Sequence, residues 1–138
     1  MNPQLNSFQK LKQLGNITQP WGGTTRYEKF HPGIDVANKE GTPIPAMVGG
    51  TVVTADLGHA KGENNYGNSV IIKDEKGNLH RYSHLKRAFV KAGQRVGNSQ
   101  QIGEMGSTGS AYSPDGGDAT HLDYRVQNAY GKYINPGK

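Results

Sequence analysis

His121-Leu122-Asp123-Tyr124-Arg125-Val126 alternates polar and apolar side chains without a break. A period of two marks a strand with one buried face, because successive side chains point to opposite faces of a sheet. Leu122, Tyr124 and Val126 therefore belong to a core, while His121, Asp123 and Arg125 project together on the other side. Three groups with acid–base or ligating chemistry share one pinned surface.

Upstream, Ser69-Val70-Ile71-Ile72-Lys73 and Leu79-His80-Arg81-Tyr82-Ser83-His84 flank the glycine-containing connection Asp74-Glu75-Lys76-Gly77-Asn78, which predicts a β-hairpin. Alternation puts His80, Tyr82 and His84 on one face of its second strand. Thr51-Val52-Val53-Thr54 and Gln101-Ile102-Gly103-Glu104-Met105 read as further strands, and Phe89 to Val96 as a short strand-turn unit. Glycine (20) and proline (7) make up about a fifth of the 138 residues, as many tight turns require. Short strands at this spacing predict a mostly β fold, a small antiparallel sheet or barrel-like domain. Residues 1–20 differ: Leu5, Phe8, Leu11 and Leu14 recur every three positions, predicting a short helix stopped by Gly15. We read 1–20 as an N-terminal arm or linker and 21–138 as the domain.

Composition removes several classes. With no cysteine, disulfides, thiolate metal sites and cysteine nucleophiles are excluded. No stretch approaches the ~20 apolar residues of a membrane span, and the first ten residues lack the apolar core of a signal peptide. Lys and Arg number 16 against 11 Asp and Glu, a net charge of +5. That balance suits an anionic bacterial wall, or simply a basic soluble surface. Nucleic acid is not expected, because Lys86-Arg87 is the single adjacent basic pair and aromatic residues do not interleave with the charges.

His31-Pro32-Gly33-Ile34-Asp35 pairs an imidazole with a carboxylate four residues on. In a flat strand they would lie ~13 Å apart at ~3.3 Å per residue. A Pro-Gly turn folds the segment back, so that both can converge on one ion. Other polar residues have blander readings. His59 is expected in a solvated loop, and His80 at the surface, rimming a groove. Asp115 and Asp118 are expected to cap a turn. Gly106 to Gly109 form a tight turn rather than a phosphate cradle, since no Gly-Lys-Ser/Thr follows. Trp21, Tyr27 and Tyr112 are groove-wall or packing residues, with Tyr27 and Tyr112 the candidate substrate contacts.

In order along the chain, His31-Pro-Gly-Ile-Asp35, Tyr82-Ser-His84-Leu85, the Val96 to Gly109 run and His121-Leu-Asp123 resemble the motifs of the lysostaphin-type (M23) zinc metallopeptidases, over roughly residues 21 to 136. The resemblance implies the lysostaphin-type (duplicated hybrid motif) β fold with a groove. It also implies one Zn²⁺ per chain, held by His31, Asp35 and the last residue of the HxH motif, with His84 and His121 as catalytic histidines. The implied activity is hydrolysis of stem or cross-bridge peptides of bacterial peptidoglycan by a metal-activated water. The implied setting is the cell wall or a virion, with the chain a monomer or part of a larger phage or secreted assembly. One position departs from the family pattern, since Asp123 stands where the family has its second histidine. Carboxylate oxygen is an acceptable zinc ligand, but a His-Asp-Asp set carries two negative charges and is harder. Arg125 on the same face offers Asp123 another partner. A paired, metal-free Asp123 implies a catalytically inactive binding or scaffold module.

Overall fold

The computed structural model describes residues 5–24, 30–60, 65–109, 111 and 119–136. In chain order its elements are α1 (Ser7–Leu14), β1 (Asn16–Gln19), β2 (Ile34–Ala37), β3 (Pro43–Pro45), β4 (Gly50–Asp56), β5 (Asn68–Lys73), β6 (Leu79–Ala88), β7 (Arg95–Val96), β8 (Gln101–Met105), β9 (His121–Gln127) and β10 (Tyr133–Ile134). The strands run antiparallel in the order β1-β2-β9-β6-β5-β4-β7, with β10 on β9 and β8 joining β6 to β3. The predicted β5–β6 hairpin is present; Asp74 N–H donates to Asn78 O at 3.0 Å to close its turn. This is the mostly antiparallel β architecture the strand spacing predicts.

α1 begins on a reciprocal cap. Gln9 N–H donates to Asn6 Oδ1 at 2.8 Å, and Asn6 N–H donates to Gln9 Oε1 at 2.9 Å. Its apolar residues do not form one stripe. Leu5 precedes the cap and lies outside the helix, and because steps of three fall about 60° short of a full turn of a 3.6-residue helix, Phe8 is carried about 120° around from Leu14. Leu11 and Leu14 are in the core, whereas Leu5 and Phe8 are each 37% exposed. Gly15 ends the helix where the chain crosses β2, since a Cβ there would stand 2.3 Å from Ala37 O. Lys10 ties the helix down: its buried ammonium donates to Met47 O at 2.7 Å and to Asn98 Oδ1. Burial holds its pKa below the usual lysine value.

The centre of the core is a cross-strand tyrosine pair. Tyr82 on β6 and Tyr124 on β9 face each other in register, fully buried, with ring centroids 5.1 Å apart. Tyr82 OH accepts from Met47 N–H at 2.8 Å. Tyr124 OH lies 2.6 Å from His80 Nδ1, and it also bonds the Ser7 side chain at the start of α1. Contrary to the surface position expected of His80, that residue is 4% exposed and stacks on Tyr124. Its Nε2 reaches Asp74 Oδ2 at 2.9 Å. A carboxylate only accepts, so Nε2 donates, and in the neutral ring Nδ1 accepts from the tyrosine hydroxyl. Burial pushes the Asp74 pKa up. Hydrogen bonds from His80 and from the backbone of Asn78 and Lys76 outweigh it and hold the group below the ordinary value.

Candidate active site

β2 and β9 are adjacent, and their register sets Asp35 directly opposite Asp123. Ile34 and Val36 go to the core on one strand and Leu122 and Tyr124 on the other, so the two carboxylates share the opposite face. Like charges directly across a ladder are unfavourable without a counter-charge. Here each carboxylate has a partner, His31 for Asp35 and Arg125 for Asp123. The turn before β2 is bound to Pro20–Gly23, with Gly22 N–H donating to His31 O at 2.8 Å and His31 N–H to Gly23 O at 3.0 Å. It brings His31 back so that Nε2 stands 2.9 Å from Asp35 Oδ1. The Pro-Gly fold-back expected from the sequence thus joins His31 and Asp35. Gly33 makes the approach possible: a Cβ would lie 2.7 Å from both Tyr124 O and Arg125 Cγ.

One ligand atom from each of His31, Asp35 and Asp123 lies within 4.8 Å of the others, and His31 and Asp123 are buried. Burial raises the Asp35 pKa, the His31 hydrogen bond lowers it, and the nearby Asp123 charge raises it again; the net direction is up. A divalent cation is the species that would relieve two facing carboxylates. The donor atoms therefore fit one: an imidazole nitrogen with two carboxylate oxygens, harder than a histidine-rich set. The Ser83 hydroxyl marks an unfilled polar requirement there, since it is buried, lies opposite Asp123 in the register and has no hydrogen-bond partner among the described residues.

Asp123 also has a protein partner. Arg125 Nε donates to Oδ1 and a terminal guanidinium nitrogen to Oδ2, both at 2.9 Å, with 14% and 6% of the two side chains exposed. The carboxylate raises the Arg125 pKa further, against the opposing effect of burial. The two alternatives that the sequence leaves for Asp123 coexist: it is within reach of the ion position and clasped by the arginine.

His84 and His121 come together beside this group, with ring centroids 4.7 Å apart and planes inclined by 41°. Simple alternation would leave His84 on the core face with Tyr82 and His80. It escapes because its backbone is left-handed, φ 65°, with bulges in the pairing of β6 to β5 and to β8. For a residue with a Cβ this conformation is strained and is held only where neighbours over-determine it. Those neighbours are Tyr66 O, which accepts from His84 N–H at 2.8 Å, and Thr108 O, 2.7 Å from Nδ1. His121 Nδ1 is likewise 2.7 Å from Ala119 O. Carbonyls only accept, so both rings carry the proton on Nδ1 when neutral and present a basic Nε2. Burial first, and the His121 charge second, lower the His84 pKa.

Thr108 is the residue that sequence reasoning missed. Besides its carbonyl's bond to His84, its hydroxyl donates to Leu85 O at 2.8 Å and accepts from Asn68 N–H at 3.0 Å. The Gly106–Gly109 run supports the His84 ring, and nothing in its composition signals that role. His59 stays apart, paired with Asp56 at 2.7 Å. Trp21 packs edge-on against Phe30. Tyr27, Tyr112, Asp115 and Asp118 lie outside the described residues.

The profile of peptidase family M23 matches residues 29–136. The murein hydrolase activator NlpD of Escherichia coli is 34% identical over 122 residues, covering 88% of this chain but 28% of that protein. Among solved structures, the catalytic domain of the prophage-encoded M23 protein EnpA from Enterococcus faecalis superposes with a TM-score of 0.71 at 30% identity, covering 88% of each chain. The catalytic domain of the antimicrobial peptidase lysostaphin from Staphylococcus simulans gives 0.68 at 28%, covering 96% of each.

Proposed function

The chain belongs to peptidase family M23, and from that footing we propose that it is a zinc-dependent endopeptidase cutting the stem or cross-bridge peptides of bacterial peptidoglycan. One observation carries the reading: a compact His31, Asp35 and Asp123 donor group beside two imidazoles anchored through Nδ1. His31, Asp35 and Asp123 would hold the zinc. When bound, the cation polarises a scissile carbonyl and lowers the pKa of a water toward ~7.

The chain's own residues handle the protons. His84 and His121, when neutral, offer Nε2 as acceptor; a ring so charged then donates to the departing amine. The depressed pKa of His84 keeps that ring neutral. The carbonyls of Thr108 and Ala119 prevent either ring from turning its Nδ1 to the substrate. A cell-wall or virion setting is supported by the activator NlpD and the prophage-encoded EnpA among the relatives.

A second reading has its own observation. The two-point hold of Arg125 on Asp123 suits a metal-free module that binds wall peptides or regulates a hydrolase, as the name of the NlpD relative describes for that protein. The test is metal analysis of the purified chain with digestion of isolated cell walls by wild type and His31→Ala. Stoichiometric zinc, with new amino termini released by wild type alone, establishes the peptidase. Intact walls and no zinc uptake from zinc-supplemented buffer establish the module.

A further inference from the structure

Beside the donor group, the same face of the sheet carries a second concentration of charge. Arg81 on β6 is directly opposite Arg125 on β9. Two guanidinium groups so placed repel, and the one nearest acid, Asp123, is committed to Arg125 through both oxygens. Arg81 has no carboxylate partner among the described residues. Its guanidinium lies instead over the ring of Tyr66, 4.4 Å from the centroid. Arg125 approaches the same ring at 5.4 Å and that of Tyr133 at 6.0 Å. Stacking of this kind fixes the plane of an arginine while leaving its N–H fork open.

The two arginines line a cleft with Ile71, Leu79, Gln127 and Tyr133. Ile71 and Leu79 supply an apolar wall, which strengthens any ion pair made against it. The cleft therefore holds one oriented guanidinium that no carboxylate of the described residues compensates, in a partly apolar setting, and it touches the candidate active site through Arg125. A planar carboxylate is the group that matches such a fork with two parallel hydrogen bonds.

We propose that Arg81, aligned by Tyr66 opposite Arg125, is a binding site for a carboxylate of the peptide substrate. The assignment rests on the peptide-cleaving reading for the source of that carboxylate. On that basis the cleft selects peptides with a free carboxylate within reach of the scissile bond over their amidated counterparts.

The test is binding, not turnover. Acetyl-dialanine in its D,D and L,L forms, and the corresponding C-terminal amides, are titrated into the purified chain while the backbone amide resonances of Gln127 and Tyr133, which line the cleft in wild type and variants alike, are followed by NMR. The free acid of at least one form should bind about tenfold more tightly than its amide, a preference that Arg81→Gln removes. Arg81→Lys should keep part of it, showing that a folded variant with the charge but without the fork is intermediate. Acid and amide of equal affinity, or an acid preference that survives Arg81→Gln, overturns the proposal. So does a preference that disappears on chelation, because the cation and not Arg81 would then hold the carboxylate. Failure of wall digestion leaves this result untouched, so the two readings fail separately.

Discussion

Arg125 grips both oxygens of Asp123, Nε on one and a terminal nitrogen on the other, each at 2.9 Å. An ion entering the group must share that carboxylate with a pre-existing partner, so the arginine and the metal compete. Charge-assisted hydrogen bonds contribute about 1.5–3 kcal/mol, and 1.4 kcal/mol corresponds to a tenfold change in affinity. Arg125→Met should therefore tighten zinc binding by about tenfold in competition with a chromophoric chelator. Weaker binding in that variant would mean that the guanidinium serves the metal by orienting Asp123.

Thr108 should matter through its hydroxyl. Thr108→Val keeps the shape but strands Asn68 N–H and removes the donor to Leu85 O, a loss of about 1–3 kcal/mol. Denaturant unfolding measures it. Thr108→Ser restores the hydroxyl and should recover most of the stability, whereas a role limited to the methyl group would leave it as weak as the valine variant.

His84 makes the protein acid-sensitive. Its native pKa lies below the unfolded value of 6.5 because the buried ring resists protonation. The unfolded chain then takes up the proton first. Stability on this account is unaffected well above 6.5, and falls as pH drops from 6.5 toward the lowered native value. His84→Gln removes this contribution, so its unfolding free energy should change less with pH over that window. Parallel curves for the two proteins would refute the assignment.

Tyr124 lies on the core side of β9 and should act on stability alone. Tyr124→Phe retains the ring but leaves His80 Nδ1 without its partner and breaks the link to Ser7, costing about 1–3 kcal/mol. Zinc affinity should not change. A parallel loss of metal would show that the hydroxyl network reaches across the sheet to Asp123.

Much of this arrangement is legible in the sequence, and the exceptions have physical causes. The alternation from His121 to Val126 reports which face each side chain takes, and the structure departs from it in burial only at Asp123, which is buried although it lies on the face away from the core. Alternation fails at His84, because a single left-handed residue re-aims the side chain without any sign in composition. It is also silent on His80, whose buried position depends on Tyr124 and Asp74 reached through pairing and a turn. β2 is four residues long and follows Pro-Gly, too short to announce itself by period. The Arg125–Asp123 pair could be anticipated from shared parity, but its bidentate geometry required the neighbouring strands.

The first twenty residues bear on how this domain is handled in the laboratory. β1 covers the outer edge of β2, the strand that carries Asp35, and Leu11 and Leu14 plug the core beneath it. A clone trimmed to the segment matched by the family profile would uncover an unsatisfied row of backbone amides and carbonyls next to an apolar hollow. Such a fragment invites edge-to-edge association between copies, so poor solubility of a shortened version would reflect a missing selvage on the sheet and not a defective centre.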